Sequence, residues 1–315
     1  NEAMLVVWGR RECAYPHSGG KGVRILRLED GFLRSVGLGA DLIRPLSWVI
    51  DGRGIYYDAK QPSDLEQILQ HTEFDASLLL RARMLRERLV AAGFTKYNVG
   101  TVQWQRQQAH LQLPSPAGGR RVGDSKHCFE GDCKRSGLDN APHPNPLPPA
   151  GEGAFMALQR VVDPNASLEG KMAPATQRVI LVPGQVESDA SLAYGAPGIC
   201  KNLDLLRAVR EANPDAYLLY KPHPDVVAGL RRQGQDEDDA VRWCDEVVAD
   251  VSMGALLRQV DEVHTLTSLT GFEALLRGKR VACYGQPFYA GWGLTLDISV
   301  PARRTRKLSL DALVA

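Results

Sequence analysis

Apolar residues fall in short runs separated by stretches with helical periodicity. Leu5–Trp8, Val23–Leu28, Val179–Val182, Ala216–Tyr220, Glu262–Thr265 and Arg280–Tyr284 read as strands. Between them the pattern predicts helices from about Ser63 to Ala92, Leu203 to Ala212, Met253 to Gln259 and Gly271 to Arg277. Pro45–Asp51 and Gly54–Asp58 predict a further strand pair. Such alternation of strand and helix calls for parallel sheets covered on both faces, an α/β class. Asn202 is placed to cap the helix that follows it, and Asn213-Pro214 and Gly278 are stop signals.

Between Gln105 and Thr176 the periodicity gives way to Pro, Gly, Ser and charge, including Pro142-His143-Pro144-Asn145-Pro146. Such a composition cannot bury enough apolar surface to offset its ordering entropy. The expected organisation is an α/β domain over 1–104, a disordered linker or insertion over 105–176 and a second α/β domain over 177–315. A strand begins within the first residues and Leu308–Leu313 reads as a helix just starting. A fragment is therefore expected, lacking the start of its first domain and the end of its second.

Charge narrows the partners. The 315 residues hold 38 Lys plus Arg against 37 Asp plus Glu, so no global field draws in nucleic acid, and any anion must be held locally. No apolar run of about 18 residues and no basic leader is present, which makes the cytoplasm the default expectation. Of the six cysteines only Cys128 and Cys133 lie close together, without a second pair to complete a zinc site, so no metal is expected.

Candidate chemistry clusters after the strands, where open α/β sheets collect ligands. Glu29-Asp30-Gly31-Phe32-Leu33-Arg34-Ser35 offers an acid/base carboxylate and groups for sugar hydroxyls; Asp30 could equally be a plain turn cap. Gly184-Gln185-Val186-Glu187-Ser188-Asp189-Ala190-Ser191 carries two carboxylates able to serve transfer at an anomeric carbon, or only a solvated acidic loop. Lys221-Pro222-His223-Pro224 brackets a histidine beside a lysine and suits a phosphate. Thr267, Ser268, Gly271 and Glu273 stand where a strand hands over to a helix; they could hold an anion and a ribose, or merely cap. Gln286, Tyr289 and Trp292 lie in a glycine-rich aromatic stretch that reads as a binding loop, with core packing the alternative.

Taken in order, these motifs resemble the KpsC-type capsular polysaccharide biosynthesis/export proteins, and Gly184–Asp189 is nearest the second of that family's two tandem modules. The resemblance implies a GT-B-like pair of Rossmann-type domains facing a cleft, and a retaining β-Kdo glycosyltransferase. It implies CMP-Kdo as donor, a Kdo-terminated glycolipid as acceptor, and neither metal nor cofactor. Asp189 is the implied nucleophile, Glu187 its nearest competitor and Glu29 the base. Gln185, Lys221, His223, Pro224, Thr267, Ser268, Gly271, Glu273 and Gln286 would bind the donor. Asp30, Arg34, Ser35, Ser191, Tyr289 and Trp292 would position substrate. Work at the cytoplasmic face of the inner membrane, beside the capsule export machinery, is implied too. The basic cluster Arg303, Arg304, Arg306 and Lys307 is either a membrane contact or a solvated face. A non-catalytic export component and a two-domain sugar-nucleotide epimerase are the rival readings.

Overall fold

The computed structural model describes residues 4–11, 23–37, 43–100, 104 and 177–315. The expected insertion over 105–176, with Cys128 and Cys133, lies outside the described residues.

Near the N-terminus, β1 (Met4–Trp8) pairs in parallel with β2 (Arg24–Asp30), which pairs antiparallel with β3 (Trp48–Asp51). The strand expected over Gly54–Asp58 is a turn instead. Buried Asp51 is the reason: its carboxylate accepts the amides of Arg53 (2.9 Å), Gly54 (2.8 Å) and Asp64 (3.0 Å), which fold the chain back before it can pair. The single helix expected over Ser63–Ala92 is two helices, α1 (Asp64–His71) and α2 (Ala76–Ala91). Extended backbone at Thr72 ends the first, and Asp75 caps the second by accepting from the Leu78 amide at 2.8 Å.

The second unit is built on a six-stranded parallel sheet in the order β6-β5-β4-β7-β8-β9. Its strands are β4 (Val179–Pro183), β5 (Tyr217–Lys221), β6 (Glu246–Val247), β7 (Glu262–Thr265), β8 (Arg280–Cys283) and β9 (Leu296–Asp297). The connecting helices are α3 (Ala190–Gly195), α4 (Asn202–Ala212), α5 (Pro224–Val227), α6 (Met253–Gln259) and α7 (Leu269–Leu276), and α8 (Leu310–Val314) ends the chain. All of β4 is buried, because apolar clusters cover both faces of the sheet. Asn202 is the first residue of α4 rather than its cap; its side chain accepts from the Gln185 amide (2.9 Å) and donates to the Gln185 carbonyl (2.8 Å).

The chain lays β4, β5 and β6 outward in one direction, then returns to place β7, β8 and β9 on the other side of β4. The order therefore reverses between β4 and β7, and the loops leaving those two strands diverge to open a crevice.

The last residues bind the two units together. Arg303 and Arg304 both pair with Glu66 of α1, Arg306 donates to the carbonyls of Leu69 (3.2 Å) and Thr72 (2.6 Å), and Asp311 of α8 pairs with Arg83 and Arg86 of α2. The cluster expected to be a membrane contact or a solvated face is, apart from exposed Lys307, an internal clamp.

Candidate active site

A cleft of about 990 Å³ runs between the two units at the carboxyl ends of β2, β4, β5 and β7. Glu29, Asp30, Tyr56, Tyr57 and Lys96 form one wall, and Gln185, Asp189, His223, Ser268 and Glu273 belong to the other.

Glu29 closes β2. Burial pushes its carboxyl above the ordinary carboxylate value, only partly offset by the Asp30 amide donating at 3.1 Å, and the charges of Asp30 and Asp189 add to the rise. Asp30 pairs with buried Arg34 through one oxygen, while its other oxygen is buried without a partner among the described residues. Arg34 and Ser35 serve the loop: the guanidinium donates to the Ser35 hydroxyl at 3.2 Å, and that hydroxyl donates to the Gly37 carbonyl at 2.8 Å. Arg34 still reaches the cleft wall, whereas Ser35 does not.

Across the cleft, Asp189 caps α3. One oxygen, Oδ1, accepts the Ser191 amide at 2.9 Å, which fixes the carboxylate's direction and leaves Oδ2 with no hydrogen bond among the described residues. The residue is exposed in the cleft. Glu187, two residues earlier, is placed differently. Its Oε1 accepts the Asn202 amide (2.9 Å) and its Oε2 the Gln235 amide (3.2 Å), so it ties two loops together outside the cleft.

Gln185 and Thr267 meet across the crevice between β4 and β7. The Gln185 amide group donates to Thr267 Oγ1 and accepts from the Thr267 backbone amide, both at 2.9 Å, locking the two loops in register. Ser268 caps α7, its hydroxyl accepting the Thr270 amide at 3.2 Å. His223 caps α5 and its Nδ1 accepts the Asp225 amide at 3.2 Å, which assigns the proton of the neutral ring to Nε2. Burial holds its pKa below the ordinary histidine value, so Nε2–H is a neutral donor. Lys221 is buried and its ammonium donates to the Ala249 carbonyl at 2.8 Å; burial pushes its pKa down to about 8 against the pull of Asp250. Pro224 and Ser191 also line the cleft.

Glu273 is buried on α7 and spans the units, accepting the Lys96 amide through Oε1 at 2.6 Å. Burial pushes its pKa up to about 7, opposed by that amide, Arg277 and Lys96.

Three residues expected at the donor or substrate are core elements instead, and a fourth, Gln286, is turned away. Tyr289 and Trp292 are fully buried, the first donating to the Ser268 carbonyl (2.5 Å) and the second to the Phe288 carbonyl (2.8 Å). A Cβ on Gly271 would stand 2.2 Å from the Tyr289 hydroxyl, so this glycine makes room for the ring, not for a ligand. Gln286 donates to the Ser299 hydroxyl at 3.0 Å, away from the cleft wall.

Sequence reasoning missed Tyr56, Tyr57, Lys96 and Tyr97, all on the cleft wall. Residues 95–98 follow a helix, not a strand, and the helix expected from the periodicity ends at Ala92. The left-handed backbone at Gly93 (φ 71°) and Asn98 (φ 53°) that shapes the segment left a faint trace as one glycine and one asparagine. Among the described residues no group of three or more His, Cys, Asp and Glu side chains converges as a metal site.

Two α/β units facing a cleft, with a carboxylate on each wall, define a glycosyltransferase-like architecture of GT-B type. The family model "Capsule polysaccharide biosynthesis protein" matches residues 4–109 and 151–314, and the chain belongs to that family. It is 41% identical over 317 residues to the capsule polysaccharide modification protein LipA of Neisseria meningitidis serogroup A, covering all of this chain and 36% of LipA. It is 36% identical to the lipopolysaccharide-processing protein LpsZ of Rhizobium meliloti, over 99% of this chain and 57% of LpsZ. The chain thus spans about a third to somewhat over half the length of these relatives. Among solved structures it resembles Thermosulfurimonas dismutans KpsC, as the β-Kdo 2,7-transferase (TM-score 0.63, 35% identity, 99% of this chain and 75% of that one) and as the β-Kdo 2,4-transferase (0.66, 28%, 98% and 77%).

Proposed function

We propose that this chain is a retaining β-Kdo transferase module that draws on CMP-Kdo to extend the Kdo linker on the lipid anchor of capsular polysaccharide. The observation that carries this reading is Asp189: a carboxylate exposed in the cleft, oriented by its cap through one oxygen and untied at the other, facing the half-buried Glu29 on the opposite wall. Kinship with Kdo transferases supports the sugar.

In this scheme Asp189 Oδ2 attacks the anomeric carbon as the bond from that carbon to the CMP phosphate oxygen breaks, and CMP leaves with the electron pair. The His223 Nε2–H donates to the departing phosphate. Lys221 has two further hydrogens beside the one given to Ala249, and its burial makes a phosphate the natural partner for its charge. In the second step an acceptor hydroxyl attacks the same carbon, Glu29 takes its proton, and the ester bond to Asp189 breaks to restore the carboxylate. Two inversions retain configuration. A carboxyl held above its ordinary pKa is a stronger base than a solvated one.

The donor makes its nucleotide contacts without metal or cofactor in this reading. The acceptor is a Kdo-terminated glycolipid met at the cytoplasmic face of the inner membrane, in company with the export machinery. No helix among the described residues is long and apolar enough to cross a membrane. Incubation with CMP-Kdo and a Kdo-terminated acceptor, read by mass spectrometry, tests the whole. The acceptor gains one Kdo residue if the proposal is right. Unchanged acceptor with intact donor favours a non-catalytic assembly component, and a change of donor stereochemistry without transfer favours an epimerase.

A further inference from the structure

Lys96 differs from three of the other five Lys and Arg side chains that line the cleft. The charges of Arg10 and Arg34 are held by Asp58 and Asp30, and the Lys221 ammonium is turned to the Ala249 carbonyl. Lys96 makes no salt bridge to a carboxylate among the described residues. Its backbone is nevertheless fixed from both units. The amide donates to Glu273 Oε1 at 2.6 Å, and the carbonyl accepts the Ser35 amide at 3.2 Å. The ammonium lies 5.0 Å from the centre of the Tyr97 ring, which restrains the side chain without neutralising it. Burial works against its charge, yet Tyr97, Tyr56 and Asp189 hold its pKa above the ordinary lysine value. Its field is felt at Glu29, His223 and Glu273 as well, which places it among the groups assigned to the reaction.

A cation at this position suits the proposed donor. An ulosonic acid carries a carboxylate on the anomeric carbon itself. A carboxylate nucleophile that approaches that carbon must bring two negative charges close together in a partly desolvated cleft, where they repel strongly. We propose that Lys96 is a donor-specificity residue whose ammonium receives the carboxylate on the donor's anomeric carbon and so permits the approach of Asp189. The inference rests on the transferase reading above. It goes beyond it by assigning selection for an acidic sugar to a residue from the helix-following segment of the first unit.

The test uses the intact protein and three probes: CMP, CMP-Kdo and the methyl ester of CMP-Kdo, each followed by binding and, for the two donors, by kcat/KM. In the parent protein the ester should be weaker than CMP-Kdo by about ten- to a hundredfold, the loss expected for one hydrogen bond to a charged group. Lys96→Met should show the same loss with CMP-Kdo, no further loss with the ester, and unchanged affinity for CMP. Lys96→Arg should retain most of the discrimination. If Lys96→Met does not fold, Lys96→Gln is measured in its place. A variant without the ammonium that still prefers CMP-Kdo over its ester as strongly as the parent overturns the assignment and leaves the transferase reading intact. Failure of the parent itself to bind or use CMP-Kdo removes both.

Discussion

The loops that leave β4 and β8 look alike on the sequence, each following a buried strand and each rich in residues associated with binding, yet they do opposite things. The β4 loop stands at the reversal of strand order and presents Gln185 and Asp189 to the cleft. The β8 loop leaves one strand further from the reversal; Pro287 and Phe288 reach the cleft wall, while Tyr289 and Trp292 turn inward. Phe288 stacks on Phe32 of the first unit at 4.6 Å between ring centres and contacts Phe272 at 5.2 Å, so the loop is a buttress between the units. What separates the two loops is topology: a strand end becomes a site where the neighbouring loop diverges, and becomes core where it does not.

The largest expected effect breaks the buttress. Trp292→Ala removes a fully buried ring and its bond to the Phe288 carbonyl, and should cost about 3–5 kcal/mol by urea denaturation. A loss under about 1 kcal/mol, the scale of an ordinary surface change, would mean that the loop is not core.

A somewhat smaller effect lies where buttress and cleft meet. Glu273 has its carboxyl raised from the ordinary 4.5 to about 7, chiefly by burial. Below about pH 4.5 the group is neutral in both folded and unfolded chain. As pH rises toward 7 the unfolded chain ionises it while the folded protein keeps the proton, so stability is lost across that window and the difference is constant above it. Relative to Glu273→Gln, the parent should therefore lose about 3 kcal/mol between pH 4.5 and pH 7. Parallel stability curves for the two proteins would show that this carboxyl does not titrate as its burial requires.

The smallest effect separates the two acids of the β4 loop. Glu187→Gln replaces one acceptor by a donor facing a backbone amide, and should cost about 1–2 kcal/mol while transfer by the folded protein persists. Full stability with abolished transfer would return Glu187 to the chemistry.

Much of this was legible in the residues. β4, β5 and β8 showed as largely apolar runs because a parallel sheet buries both faces, and Asp189 and His223 were found because they follow such runs. The two-residue strands β6 and β9 left no periodicity to read. Lys96 escaped because its position is set by bonds to Ser35 and Glu273, both distant in sequence. Tyr289 and Trp292 were misassigned since glycine beside aromatics suggests an open loop, whereas at Gly271 the missing side chain is what lets a ring pack. Arg303 and Arg304 read as a basic cluster because Glu66, their partner, is contributed by a helix in the other unit.

The central claim is that Asp189 forms a bond to the sugar, and the direct measurement is of that bond. In Glu29→Gln the acceptor hydroxyl loses its base while the first displacement stays open, so the sugar should accumulate on the protein. Incubated with CMP-Kdo and acceptor, digested and mapped by fragment-level mass spectrometry, that variant should carry one Kdo on the Asp189 side chain. A label that maps to any other residue, or product formed by Glu29→Gln at the parent rate with no labelled protein, would contradict the account.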